Sequence, residues 1–482
     1  MKLQSITNFG RNRSFTAAVH EPRSEAEVLA VLASCAGRSI RAVGRLHSWS
    51  EVILADDVLI DLRHMQGVRI EDREGRPWVT VEAGCQIKRL LAELDQHGLT
   101  MPSIGLITEQ TIAGAMSTGT HGSGKHCLSH YAEEIRLATY DAETGIPVVS
   151  IITDGEELRA ARCSLGALGI MVSIGFWARP AYRVEEFVEL YDRLDDVLAK
   201  EADYPLQQFF LIPWRWKYFG QHRRETDRPR SLLAGVYRWY FFLSIDVLMH
   251  LWFLLLCRVV RSARFSKFFF RHIASKMVIR NWQVVDRSQA QLIMEHELFR
   301  HIEIEMFVRR PQLDDSLSYV IELLQHFDGD ATALPETRRA QLQEAGLLKD
   351  LDRARGSYTH QYMICVRRIL PDNTLISMTS GGDESWYSLS FISYASPGDR
   401  RGFYTFAEQL CRTMVALFRS RPHWGKYCPL TKDEVEQLYP NLPAFRRVCD
   451  RYDRPGIFRN QWLKTIVLAD QETSSEPNGR SR

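Results

Sequence analysis

Residues 104–124 read IGLITEQTIAGAMSTGTHGSG. Five glycines (Gly105, Gly114, Gly119, Gly122, Gly124) alternate there with the small hydroxyl residues Thr111, Ser117, Thr118, Thr120 and Ser123. Residues this small let a backbone approach a ligand closely and offer many short hydrogen bonds. A core segment would be richer in Leu, Ile and Val, and a linker would not carry Ile112, Ala113 and Ala115 at its centre. The stretch, opened by Ile104 and closed around His121, predicts a backbone nest laid along a large polyanionic ligand. The alternative is a glycine-rich loop with no ligand.

The 482 residues allow two or three domains with ample core. Hydrophobic content of 45% and charged content of 25% are those of a soluble globular chain. A net charge of +2 provides no global field for nucleic acid, which is not expected as a partner. The nine cysteines are scattered with no CxxC pair, so neither a metal site nor a disulfide framework is expected. An odd count, with no apolar export signal in MKLQSITNFGRNRSF, predicts a cytoplasmic protein.

Around the nest, residues 24–32 and 87–97 have helical periodicity, the first opened by Ser24 and the second closed by Gly98. Residues 38–44, 58–65 and 78–84 read as strands, 135–145 as a hairpin, and 161–180 as a glycine-punctuated turn entering an apolar strand. Strands separated by short helices predict an α+β domain over residues 1–180. From Pro180 the texture changes: YRVEEFVELYDRLDDVLA reads as a charged helix, and a second domain is expected over 181–420. Within it, 299–308, 359–369 and 386–394 read as strands, and 316–327 and 404–418 as helices. Residues 421–470 form a C-terminal segment, and 471–482 a polar, disordered tail.

Residues 215–280 are unusual. WYFFLSIDVLMHLWFLLLC, residues 239–257, is interrupted mainly by Asp246 and His250 and flanked on both sides by arginines. Three readings are open: a buried helix with Asp246 and His250 on one face, a transmembrane span, or a membrane-interface segment with cations on anionic lipid. Peripheral contact through 239–271, on the inner face of a membrane, is the reading preferred here.

Several residues could carry chemistry. His47 follows a strand and a glycine in RAVGRLHSWS; HWGK combines His423, an aromatic plane and the mobile cation of Lys426. Arg367 and Arg368 are adjacent on a strand, so one faces inward and needs a partner. Glu303 and Glu305 share one face of a strand, spaced as paired carboxylates or as salt-bridge partners.

RAVGRLHSWS, VEAGCQIKRLLAEL, the nest with STGTHGSG, GALGIMVSI and RPHWGK, in that order, resemble the vanillyl-alcohol-oxidase (PCMH) type of FAD-binding flavoprotein. Within it the chain is most similar to the aldonolactone oxidase group: gulonolactone, arabinonolactone and alditol oxidases. The resemblance leaves out about 215–280 and the tail.

The resemblance implies FAD in the N-terminal α+β domain, a cap built on an antiparallel sheet with helices, and completion of the flavin site by 421–470. It assigns Val43, Gly44, Arg45, Leu46, His47 and Ser48 to the flavin turn. It assigns Ile104, Gly105, Thr111, Gly114, Ser117, Thr118, Thr120, His121 and Gly122 to the nest, Gly169 and Ile170 to the adenine half or a second wall, and His423 to the cofactor as well. His47 matches the histidine joined covalently to the flavin in many relatives. Lys426, Arg367 and Glu305 would be catalytic, and Ser388 and Ser390 would contact substrate. Two departures stand out: Leu46 replaces a glycine of the Gly-x-Gly-His-Ser turn, and Cys365 replaces a carboxylate of alditol oxidases. The implied activity is oxidation of a CH–OH group of a sugar lactone or polyol, arabinonolactone-oxidase-like, with hydride passing to FAD and oxygen giving hydrogen peroxide. Two alternatives are a dehydrogenase passing electrons to a membrane quinone or cytochrome, and a non-catalytic flavin-carrying membrane adaptor.

Overall fold

The computed structural model describes residues 3–294 and 298–468; the expected disordered tail lies outside them. The architecture is α+β and is built on three main sheets, with a two-stranded ribbon of Leu99–Thr100 and Arg179–Pro180 beside them. The first, near the N-terminus, is mixed: Leu3–Thr7 and Ser14–His20 are antiparallel, and Val58–Asp61 runs parallel to both Ser14–His20 and Ile40–Val43. The second is antiparallel, in the order Val68–Arg73, Arg76–Glu82, Ile170–Trp177, Glu134–Tyr140, Pro147–Ile152. The third has eight antiparallel strands, in the order Val284–Arg287, Arg183–Tyr191, Lys217–Thr226, Gln208–Ile212, Ile364–Ile369, Trp386–Ser393, Ile302–Arg309, Arg421–Pro422. Helices Leu313–Phe327 and Arg401–Phe418 are part of the same hydrophobic core as this sheet.

Ser24 caps helix Glu25–Ser34 by accepting the Glu27 N–H, and Gly98 follows helix Ile87–Gln96 with φ +66°. One expectation fails. The charged stretch after Pro180 is not a helix; Arg183–Tyr191 is a strand, with only the short helix Leu194–Leu198 behind it. Its acidic residues resemble a solvated helix face because their partners are remote in sequence. Glu185 is buried against Arg224 and Arg228, and Glu186 against Arg223 and the Tyr237 hydroxyl. The odd segment also begins later than residue 215, since Lys217–Thr226 is an interior strand paired on both sides.

Beyond that strand, residues 234–260 form one helix of 27 residues, with wider, π-type turns at Phe241–Met249 and Leu255–Val260. Asp246, Met249, His250, Phe253 and Leu256 are buried, whereas Val236, Trp239, Leu243, Leu248, Leu251 and Val259 are exposed.

The nest docks onto the cap at its far end. Gly124 N–H donates to the Arg368 carbonyl (2.7 Å), the Ser123 hydroxyl to the Gln207 carbonyl, and Leu370 N–H to the Lys125 carbonyl (3.1 Å). The C-terminal segment returns to the first sheet: Ile40 N–H donates to Ile457 O (2.9 Å), and Asn460 Nδ2 donates to the carbonyls of Glu51 and Leu54 (2.9 Å each). All three sheets therefore border one interior space.

Candidate active site

A long cavity runs between the N-terminal part and the cap. At one end Arg41, Leu165, Gly166 and Gly169 form its wall; at the other stand Glu303, Glu305, Arg367, Ser390 and Lys426. Arg41 is buried, and its guanidinium donates to the carbonyls of Gly166, Leu165, Val52 and Phe458 (2.7–3.0 Å). That guanidinium fixes the turn after strand Ile40–Val43 against the C-terminal segment.

The turn then presents Val43, Gly44, Arg45, Leu46, His47 and Ser48 to the cavity. Leu46 takes a left-handed conformation with φ 55°, as the glycine it replaces would. This conformation costs a non-glycine residue about 1–2 kcal/mol. Phe9 N–H donates to the Leu46 carbonyl (2.9 Å), and the Leu46 side chain packs against the core, so the turn keeps its course. His47 stacks on Phe9 with ring centroids 4.9 Å apart.

Among the described residues, no backbone N–H of Gly44, Arg45, Leu46 or Ser48 donates to a backbone carbonyl. These N–H groups are what an anionic ligand needs. The nest faces them through Thr111, Gly114, Ser117, Thr118, Thr120 and His121. Thr111 caps the short helix Ile112–Ser117, accepting Gly114 N–H at 3.3 Å. A Cβ at Gly44 would stand 2.0 Å from Thr111 Oγ1. The two walls therefore meet only because Gly44 has no side chain.

Cap residues reach the cavity from one face of the eight-stranded sheet. Phe210, Cys365, Ser390 and Glu305 form one cross-strand row, and Gln208, Arg367, Ser388 and Phe307 the next. Arg367 Nε donates to Gln208 Oε1 (3.1 Å), and its charge is reinforced, against the effect of burial, by Cys365, Glu305 and Glu303. The HWGK turn is hydrogen-bonded to the edge of strand Ile302–Arg309. His423 N–H donates to Glu305 O and Tyr427 N–H to Glu303 O, both at 2.9 Å.

Lys426 is thereby set with Nζ 2.5 Å from Glu303 Oε2 and 4.6 Å from the centre of the Trp49 ring. The Ser390 hydroxyl donates to the other Glu303 oxygen. Glu305 faces His121 Nε2 at 3.3 Å. Burial raises the Glu305 pKa, but His121 and then Lys426 outweigh it and hold the carboxyl well below the usual value. Burial drops the His423 imidazole to about 3, so it is neutral. Because its Nδ1 accepts Gly425 N–H (2.9 Å), its proton sits on Nε2.

Eighteen sequence-predicted site residues thus border one cavity, and five do not. Ser388 is buried in the row of Arg367 and Phe307, its hydroxyl without a hydrogen-bond partner among the described residues; Phe307 packs edge-on to His121 beside it. Ile170 starts an apolar core strand. Ile104, Gly105 and Gly122 lie behind the nest; a Cβ at Gly122 would meet the Ile104 carbonyl at 2.3 Å. These three brace the wall without lining it.

Trp49, His301, Gln208, Tyr362 and Tyr394 also line the cavity, and no local pattern marks them. Glu303, paired with Lys426, was visible only as half of an i,i+2 carboxylate pair. Nothing local says which of the two carboxylates meets the lysine.

A family model for an FAD binding domain matches residues 16–144, and one for D-arabinono-1,4-lactone oxidase matches residues 179–466 without leaving out 215–280. The chain belongs to the D-arabinono-1,4-lactone oxidase family. A long-chain alcohol oxidase from an uncultured marine euryarchaeote is 50% identical, over 98% of each chain. Bovine L-gulonolactone oxidase is 24% identical, over 92% of this chain and 94% of its own. The crystal structure of cholesterol oxidase from B. sterolicum superposes with a TM-score of 0.74 at 13% identity, over 97% of each chain, and shares the fold. As a member of the D-arabinono-1,4-lactone oxidase family, the protein is an FAD-dependent oxidoreductase acting on CH–OH donors. The unpaired N–H groups of the turn and the side-chain-free approach at Gly44 fit a dinucleotide.

Gly44→Ala is expected to push Thr111 out of the nest and lower FAD retention. The ratio of absorbance at 450 nm to that at 280 nm in purified protein should fall, with an unchanged far-UV circular dichroism spectrum. Full flavin content in the variant would show that the turn and the nest do not close on the cofactor.

Proposed function

We propose that the protein oxidises the alcohol carbon of an aliphatic, long-chain alcohol, with oxygen as the final acceptor. The observation that carries this reading is the division of the cap side of the cavity. Phe210, Met294, Leu298, Phe299 and Ile392, faced by Leu106 and Ile107 of the nest, give it apolar walls, and charged groups gather around Glu303, Lys426 and Arg367. A sugar lactone carries oxygen along its whole length, and each buried hydroxyl left without a partner costs about 1–3 kcal/mol. A single hydroxyl at the head of a hydrocarbon chain matches one polar end and apolar walls. The name of the 50% identical relative points the same way, and so does Cys365, which by the resemblance stands where some alditol oxidases place a carboxylate.

Bound FAD supplies the two-electron acceptor for the hydride that leaves the alcohol carbon. The chain's own part is to hold the hydroxyl and manage its proton. Glu303 is placed to accept that proton, with Ser390 fixing one of its oxygens and Lys426 the other. Lys426 and Arg367 provide cationic charge where the oxygen becomes negative, in surroundings that need little reorganisation. Glu305, engaged with His121, holds the nest against the cap and keeps a fixed negative charge beside neutral His423. His47, on the flavin turn and stacked on Phe9, is the proposed covalent tether.

In a panel of 1-alkanols, polyols and sugar lactones, kcat/KM is expected to rise with alkanol chain length, with one hydrogen peroxide formed per turnover. Reduction of the flavin only by lactones or polyols would overturn the substrate assignment, and reduced flavin that persists in air would overturn the acceptor. Glu303→Gln should lower kcat by about 10²-fold or more while leaving the flavin spectrum intact; wild-type kcat would remove Glu303 from the chemistry. Denatured wild-type protein should show flavin fluorescence on a gel, and His47→Ala should lose it. Fluorescence surviving that substitution would assign the tether elsewhere.

A further inference from the structure

The helix of residues 234–260 and the helix Ala263–His272 that follows it present a surface that the oxidation chemistry does not use. We propose that this surface docks on a lipid leaflet containing anionic headgroups, and that the alcohol enters the cavity from the lipid.

Three independent observations support the proposal. The first is exposure of large apolar side chains: Trp239, Leu243, Val259 and Phe268 on the two helices, and Leu232 in the turn just before them, are 66%, 54%, 72%, 50% and 103% exposed. Apolar residues gathered this densely on one helical hairpin mark an interaction face rather than ordinary surface.

The second is charge. The whole chain is nearly balanced, with 61 basic and 59 acidic residues, but residues 228–280 contain ten Lys or Arg and one acid, Asp246, which is buried. Arg264, Lys276 and Arg280 are exposed and make no ion pair among the described residues. Apolar side chains rimmed by unneutralised cations match an anionic leaflet, whose potential attracts each such cation.

The third is the opposite face of the same helix. His250 is buried and forms part of the cavity wall, and its ring stacks on Phe299 with centroids 5.7 Å apart. The neighbouring Leu298 lines the cavity while 49% exposed, placing a cavity opening beside this helix.

That inner face also decides between lying on the bilayer and crossing it. At about 1.5 Å per residue the helix is about 40 Å long, enough to cross. Crossing would put lipid against Asp246 and His250 and remove a wall of the cavity. The helix therefore lies along the leaflet, exposed side down. Delivery of substrate from lipid rests on the alcohol assignment made above; vesicle docking does not.

The test is flotation of the FAD-loaded protein with vesicles of phosphatidylcholine alone or mixed with phosphatidylglycerol, at low and high salt. The comparison variant is Leu232→Glu/Trp239→Glu/Leu243→Glu, whose sites are exposed and far from the catalytic groups in sequence. Wild type should float with the anionic vesicles at low salt, and the variant about tenfold less. Oxidation of dodecanol carried in vesicles should fall by a similar factor in the variant, with butanol oxidation in solution unchanged. Wild type left at the bottom of the gradient, or a variant that floats equally well, overturns docking. A dimer in sedimentation velocity that the variant breaks, without flotation, assigns the surface to a second copy instead and also overturns it. Docking with equal dodecanol rates overturns delivery alone, and loss of butanol oxidation in wild type would count against the alcohol assignment and leave docking standing.

Discussion

Two carboxylates on one buried strand, Glu303 and Glu305 on Ile302–Arg309, set the conditions that the rest of the molecule meets. Moving a carboxylate out of water is costly, and burial in a sheet succeeds only where partners with fixed geometry await it. Here the partners come from distant parts of the chain: His121 from the nest, Ser390 from the neighbouring strand, and Lys426 from the C-terminal turn. Those partners therefore join the N-terminal part, the cap and the last segment at one place. Removing any one leaves a buried charge short of a partner, so the folding of three segments is coupled through the groups that face the cavity.

The flavin side is built on a different constraint, closeness rather than charge. Gly44 against the Thr111 side chain and Gly122 against the Ile104 carbonyl bring chain segments together where a side chain on the glycine would intrude. Leu46 shows the limit of that logic. It holds the strained conformation a glycine would hold freely, because its carbonyl is anchored by Phe9 N–H and its side chain has a place in the core.

Much of this was legible in the residues. The nest between Thr111 and His121 announced itself by composition, and helix Ile87–Gln96 and strand Ile302–Arg309 by period. What stayed hidden depended on partners far along the chain. Arg183–Tyr191 reads as a helix because the arginines neutralising Glu185 and Glu186 lie about forty positions away. Ser388 and Ser390 are equivalent by alternation, yet Ser390 lines the cavity and Ser388, opposite Phe307 on the neighbouring strand, does not. The pairing of Lys426 with Glu303 depends on how the HWGK turn meets a strand edge, which no local pattern encodes.

The widened turns of the helix carrying His250 make its length in residues a matter of register. An α-helical segment advances about 100° per residue, and the π-type stretch Phe241–Met249 adds residues without adding turns in proportion. Shortening that stretch by a single residue would swing His250 away from Phe299 and bring a lipophilic side chain round in its stead. The bulge thus acts as a phase adjuster, keeping the exposed apolar side of one rod aimed at the outer surface and its ring-bearing side at the cavity.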